Sequence, residues 1–272
     1  MRSLFIFFML LICSLFQSQS KQFLYEYRFI PDSTEKKQVM TEIMILDIDQ
    51  KRSLFFGQEM YRSDSTLLSD SKKGIFSMPP DKQMISEQVI KYPNSAQMDY
   101  VKLVSYQKYV VSQEVKLPWK LISEFKTILD HKVQKAKVSF GGRAWTAWFA
   151  KDIPFQDGPY KFSGLPGLIL ELEDDTKSHH YILKGIRDHP KEFIYPALNN
   201  YKISKISYQQ FIKLYKNYRI NPVANLIGKI PDYQDENGNT VSGQQKVREI
   251  EQIKLEQIKK DNNIIEIDLL KK

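Results

Sequence analysis

The stretch VQKAKVSFGGRAWTAWF, Val133 to Phe149, decides how the rest of the chain is read. In its first half Gln134, Ala136, Val138 and Phe140 fall on one face of an extended strand, and Val133, Lys135, Lys137 and Ser139 on the other. Gly141-Gly142 follows, a pair suited to a two-residue hairpin turn. That turn predicts Phe140 opposite Arg143, Val138 opposite Trp145, Ala136 opposite Ala147 and Lys135 opposite Trp148. The first three pairs build an apolar face. The last sets a lysine against an indole on the other face.

Outward from this hairpin, Gln22 to about Ile186 reads as strands and turns. FLYEYRF, EIMILDI, RSLFFGQEMY and YVKLVSYQKYVV are rich in aromatic and β-branched residues. Pro79-Pro80 and Pro93-Asn94 punctuate them. No helical pattern is interleaved, which favours antiparallel pairing over βαβ units. After about Asp188 the period changes. Ser207-Tyr-Gln-Gln210 forms a capping box, with Tyr208, Phe211, Ile212, Tyr215 and Tyr218 at helical spacing up to Asn221-Pro222. Asp235 to Asn239 predicts an exposed turn. QQKVREIEQIKLEQIKKDNN predicts a second helix with Val247, Ile250, Ile253 and Ile258 as its stripe. IIEIDLL reads as a last strand or a docked tail. The expected fold is mainly β (α+β): a curved antiparallel sheet or half-barrel with C-terminal helices packed on it.

The chain opens with one Arg, an apolar run from Leu4 to Phe16 and small polar residues. The run is shorter than the roughly 20 residues of a membrane span, and its layout predicts a signal peptide over residues 1–20. Ile12 before Cys13 does not suit lipid attachment. Residues 21–272 are then expected to form a single domain, β-rich to about 188, with helical additions over 205–262. This stretch holds no cysteine, which excludes disulfides and thiolate chemistry there. The net charge of +8 is spread along the chain without a block of like charges, so no nucleic-acid partner and no transmembrane span are expected.

Catalytic chemistry finds little support. His131, His179, His180 and His189 form no metal-binding spacing, and His179-His180 is expected in a solvated turn. Asp47 and Asp49 share one strand face but precede Gln50-Lys51, where solvated acids are expected. No catalytic residue, metal ligand or cofactor is assigned. Aromatics are denser: Trp145, Trp148, Phe149, Phe155, Tyr160 and Phe162 lie beside Arg143 and Lys161. They read either as the core and rim of the hairpin or as the wall of a groove. Arg143, Trp145, Trp148, Tyr160 and Phe162 are the candidate ligand- or partner-binding residues. In Leu165-Pro166-Gly167-Leu168, Pro and Gly occupy the central positions of a type II turn. Alternating Leu168, Leu170 and Leu172 predict a strand after it, which excludes a phosphate loop backed by a helix. Gly158, Pro159, Gly164, Pro166 and Gly167 are thus assigned to turns.

GRAWTAWFAKDIPFQDGPYKFSGLPGLILEL, Gly142 to Leu172, resembles the signature of the GLPGLI family, exported proteins of a group of Gram-negative bacteria. One departure is Val133, where many relatives carry cysteine. The resemblance implies a periplasmic or outer-envelope location and supplies no catalytic residues. The expected function is non-catalytic binding or assembly, with a peptide, lipid, glycan or envelope-protein partner or a membrane transport complex. The alternative is a metal-independent Asp/Glu hydrolase.

Overall fold

A computed structural model of the chain describes residues 20–78, 85–105, 107–189, 193–198 and 203–271. The expected leader, apart from Ser20, and Pro79-Pro80 lie outside the described residues. Twelve strands form one curved, unclosed sheet. They are β1 (Ser20–Phe29), β2 (Met40–Ile48), β3 (Ser53–Gly57), β4 (Gln88–Lys91), β5 (Gln97–Val104) and β6 (Gln107–Glu114). Then come β7 (Lys120–Ile128), β8 (His131–Phe140), β9 (Arg143–Ala150), β10 (Leu168–Asp174), β11 (His179–His189) and β12 (Ile203–Ser207). Their order across the sheet is β12-β6-β5-β4-β3-β2-β1-β11-β10-β9-β8-β7.

The central hairpin has the predicted register: Phe140↔Arg143, Val138↔Trp145, Ala136↔Ala147 and Lys135↔Trp148. Gly141 and Gly142 both take positive φ, 61° and 80°, as a tight hairpin turn between right-twisted strands requires. Register shifts interrupt β1, β10 and β7 at Leu24/Tyr25, Ile169/Glu171 and Ile122/Phe125. Such bulges increase local twist and bend the strand.

Three expectations need correction. A helix, α1 (Gln58–Lys72), interrupts the β-rich half, and only Ser53–Gly57 of RSLFFGQEMY is strand. Its buried residues are the polar Ser63 and Asp64, and its apolar side, Met60, Tyr61, Leu67 and Leu68, is only half-buried. Tyr61 anchors it instead, packing against Phe56, Phe193 and Tyr195. Second, β12 lies past residue 188 and pairs parallel to β6, against the antiparallel rule of the remaining pairs. Third, Leu165–Leu168 is not a hydrogen-bonded type II turn. The Gly167 N–H donates to Leu165 O at 2.8 Å, and the Leu168 N–H goes to Ile153 O at 3.1 Å. The distant carbonyl outcompetes the local i to i+3 bond.

The C-terminal elements follow the sequence more closely. α2 (Tyr208–Ile220) begins at Ser207 with the full capping box, and Phe211 and Tyr215 are its buried face. The two-residue strands β13 (Tyr233–Gln234) and β14 (Thr240–Val241) flank the exposed Asp235–Asn239 turn. α3 (Gly243–Lys260) buries Val247 but leaves Ile253 exposed. IIEIDLL is a docked tail that ends in a single 3-10 turn, Ile267–Leu270. Among the described residues no helix is long and apolar enough to cross a membrane.

Candidate functional site

The tail from Asn263 to Leu270 forms a strap held chiefly by buried polar groups of the β9–β10 region. Arg143 is its main clamp. Nη2 donates to Asn263 Oδ1 at 2.6 Å and to Ile264 O at 2.9 Å, and Nε donates to Ile264 O and Ile265 O, each at 3.2 Å. Nη1 donates to Asp174 Oδ2 at 2.9 Å. Further along the strap, Glu266 accepts from the Tyr160 hydroxyl at 2.6 Å, the Tyr208 hydroxyl at 2.9 Å and the Lys161 ammonium. Burial pushes the Glu266 carboxyl up, but Lys161 and the two hydroxyls outweigh it and keep the group ionised. The glycine pair of the hairpin turn also lets the strap approach. A Cβ on Gly141 would lie 2.8 Å from Glu266 Cα, and one on Gly142 would lie 2.5 Å from Asp268 Oδ1.

The strap walls a cavity of about 280 Å³. Asn263, Ile264, Ile265, Glu266 and Leu269 line one side. β1, β3, β5, β11 and α2 supply aromatics to the rest, including Tyr27, Phe29, Phe55, Tyr100, Tyr181 and Phe211, and β2 adds Met40, Thr41, Glu42 and Met44. Tyr27 and Tyr181 stack face to face, with centroids 4.0 Å apart and planes within 4°. The Glu87–Lys102 ion pair lies in the same lining. Burial opposes both charges, yet each partner stabilises the other, lowering the Glu87 pKa and raising that of Lys102.

Of the candidate binding residues, only Tyr160 lines this cavity. Arg143 is the strap clamp. Trp145 and Phe162 are packed in the core 4.7 Å apart, and the Trp145 indole N–H donates to Phe140 O. Trp148 is on the opposite face of β9, where Lys126 and Lys135 lie 4.4 and 5.6 Å from its ring centre. The predicted lysine–indole stack is therefore present, away from the cavity. Sequence reading missed Tyr27, Glu87, Tyr100, Lys102 and Tyr181. The period-2 placement of the three tyrosines and Lys102 in strands is visible in the sequence; the convergence of those strands, and Glu87 just before β4, are not. Among the described residues no group of three or more His, Cys, Asp or Glu is placed to hold a metal ion.

His179 is not a solvated turn residue. It starts β11 and is buried, because the turn itself is confined to Asp175–Ser178 and Asp174 accepts the His179 backbone N–H at 2.8 Å. Nε2 faces Asn263 O at 2.8 Å, so it carries the proton, and Nδ1 accepts from the Tyr27 hydroxyl at 2.6 Å. Asp47 is likewise buried, accepting from Ser20 Oγ at 3.0 Å and Gln22 Nε2 at 2.8 Å.

Burial, then the charge of Arg143, lowers the His179 pKa from 6.5 to about 4. Above pH 6.5 the ring is neutral in both folded and unfolded chains. As pH falls from 6.5 towards 4, the unfolded chain takes up a proton that the folded chain refuses. Stability should decline by about 2 kcal/mol between pH 7 and 5 through this residue. Urea unfolding at the two pH values checks it: His179→Phe should flatten the slope, and an unchanged slope would assign it elsewhere.

Residues 141–171 match a family described as "Protein of unknown function (Porph_ging)". That segment carries Arg143, Tyr160 and Lys161, which grip the strap. No curated protein matches the chain. Two solved structures of PNGF-II, in space groups P21 and C2, are similar in fold, each with a TM-score of 0.52. Their identities to this chain are 15% and 17%. Each match covers 74% of this chain and 34% of PNGF-II, so the chain spans about a third of that protein's length. At such identity the likeness concerns the fold alone.

Proposed function

We propose that the chain is a GLPGLI-type exported protein of the bacterial envelope, one domain over residues 21–272, that binds a small ligand without breaking bonds. The observation that carries this reading is the cavity. It is aromatic-walled, bounded by the chain's own strap, and holds a few placed polar groups, as small-molecule sites do. Its volume suits a head group of a glycan, lipid or peptide rather than a long chain. The hydrolase alternative needs one carboxyl held protonated beside an ionised one. Glu87 and Glu266 are both held ionised by lysines, and Asp261, which burial raises, faces Arg219 at 3.4 Å.

Thr41 is exposed at the cavity's edge and lines it, so Thr41→Trp should plug the mouth without entering the core. After incubation with a small-molecule extract of a Gram-negative envelope, native mass spectrometry should find an adduct on the wild type. The variant should lose most of it. No adduct, or one equally retained by the variant, overturns the reading.

A further inference from the structure

Resting on the reading of the chain as exported, we infer that leader removal after Ser20 completes an ion pair between the new α-ammonium of Lys21 and the carboxylate of Asp47. Asp47, on β2, is 3% exposed and lies opposite Gln22 of β1. Both hydrogen bonds to its carboxyl, from Ser20 Oγ and Gln22 Nε2, fall on Oδ1. Among the described residues no lysine or arginine pairs with it. Burial outweighs the two bonds and pushes the carboxyl's pKa up. A buried carboxylate is costly unless it is both hydrogen-bonded and paired with a cation, and the cation is what Asp47 lacks.

The sequence places the cut where that cation arises. Ser18 and Ser20 set small side chains at the two positions a signal peptidase reads. A cut one bond earlier would set Gln17 and Gln19 there. Hydrolysis of the Ser20–Lys21 amide consumes one water, leaves a carboxylate on the departing Ser20 and gives Lys21 a primary amine. With an ordinary pKa of about 7.7–8.0, that amine takes up a proton at neutral pH. The cut also removes the Ser20 hydroxyl from Asp47. A charged donor thus replaces a neutral one, and bonds of that kind are the stronger.

The sheet holds the new terminus in place. Lys21 is registered against Ile48 of β2 and Asp188 of β11, and Gln22 against Asp47 and Arg187. The Lys21 side chain pairs with Asp188 Oδ1 at 3.3 Å, and Arg187 Nε donates to Gln22 Oε1 at 2.7 Å. The Lys21 backbone nitrogen is bonded to Ser20 itself, whose hydroxyl reaches Asp47 at 3.0 Å. Two more charged groups act on the same carboxyl: His189, at the end of β11, lowers its pKa, and Asp49, just past β2, raises it.

The test expresses the full chain, leader included, in a Gram-negative host and purifies the product. Intact mass should show a chain that begins at Lys21. An NMR titration of the Lys21 Hα and Cα signals should put its α-amine pKa above the ordinary value by about one pH unit or more. Asp47→Asn should return it to the ordinary value. Asp188→Asn, which removes the exposed acid beside the Lys21 side chain, should leave it raised. Because the folded value is raised, the pair's stabilisation is complete below about pH 8 and lost as pH climbs through that folded value. The urea midpoint of the wild type should therefore fall more steeply above about pH 8 than that of Asp47→Asn. A processed chain that begins at another residue overturns the cut. An α-amine of ordinary pKa, or a raised one that survives Asp47→Asn, overturns the pair. Each of these leaves export standing. A chain that keeps its leader overturns the export reading and this inference with it.

Discussion

Lys161→Met should lower the unfolding free energy by about 3–5 kcal/mol, a large share of the total for a domain of this kind. Lys161 is 0% exposed and Glu266 5% exposed. Methionine fills most of the space but removes the positive charge. Glu266 would then keep a buried negative charge facing only the Tyr160 and Tyr208 hydroxyls. The pair as a whole contributes less than this figure, because desolvating two ions offsets most of their attraction; it is the lone charge that is costly. Adding Glu266→Gln to Lys161→Met should therefore recover part of the loss, since the neutral amide has no charge to desolvate. Denaturant unfolding of the two single variants and the double variant reads this coupling directly. A loss under about 1 kcal/mol for Lys161→Met, or a double variant no better than that single one, would contradict the strap's dependence on this ion pair.

That dependence explains why so much of the site was illegible in the sequence while much of the fold was not. The β8–β9 register follows from local information: a period of two and a glycine pair that turns the chain. The α2 capping box is likewise contained within four residues. The strap contacts are different in kind. Arg143 meets Asn263 across 120 positions, and Lys161 meets Glu266 across 105. Nothing local in Arg143 or Lys161 distinguishes a buried clamp from a ligand-facing cation. Its sequence neighbourhood therefore groups Arg143 with the candidate binding residues Trp145 and Phe162, all in one short crowded stretch. The cavity instead gathers single tyrosines from β1, β5 and β11, each unremarkable within its own strand. Tyr160 belongs to both sets because it joins the strap to the cavity wall. α1 is hidden for a different reason: Ser63 and Asp64, its most buried residues, are polar and interrupt the run from Met60 and Tyr61 to Leu67 and Leu68, which directly follows a strand.

The GLPGLI turn holds the second large effect, and it separates two glycines that look equivalent in sequence. Gly167→Ala should cost about 4 kcal/mol or more, or prevent folding at 37 °C. Gly167 has φ 146°, outside the range comfortable for an L side chain, and its Cβ would lie 2.0 Å from Ala150 O and 2.7 Å from Ala150 C. Both are backbone atoms at the end of β9, where Ala150 pairs with Val133 and Leu168. They cannot withdraw without opening two strand pairs. Gly164 has φ 89°, but a Cβ there meets nothing within 4 Å. Gly164→Ala therefore carries only the left-handed penalty of about 1–2 kcal/mol. Thermal and denaturant unfolding of both variants should place Gly167→Ala well below Gly164→Ala. Equal losses would mean that backbone conformation alone fixes both positions. The predicted inequality instead makes Gly167 the point where the turn is pressed against the sheet, which is also why the Leu168 N–H reaches Ile153 rather than closing a local turn.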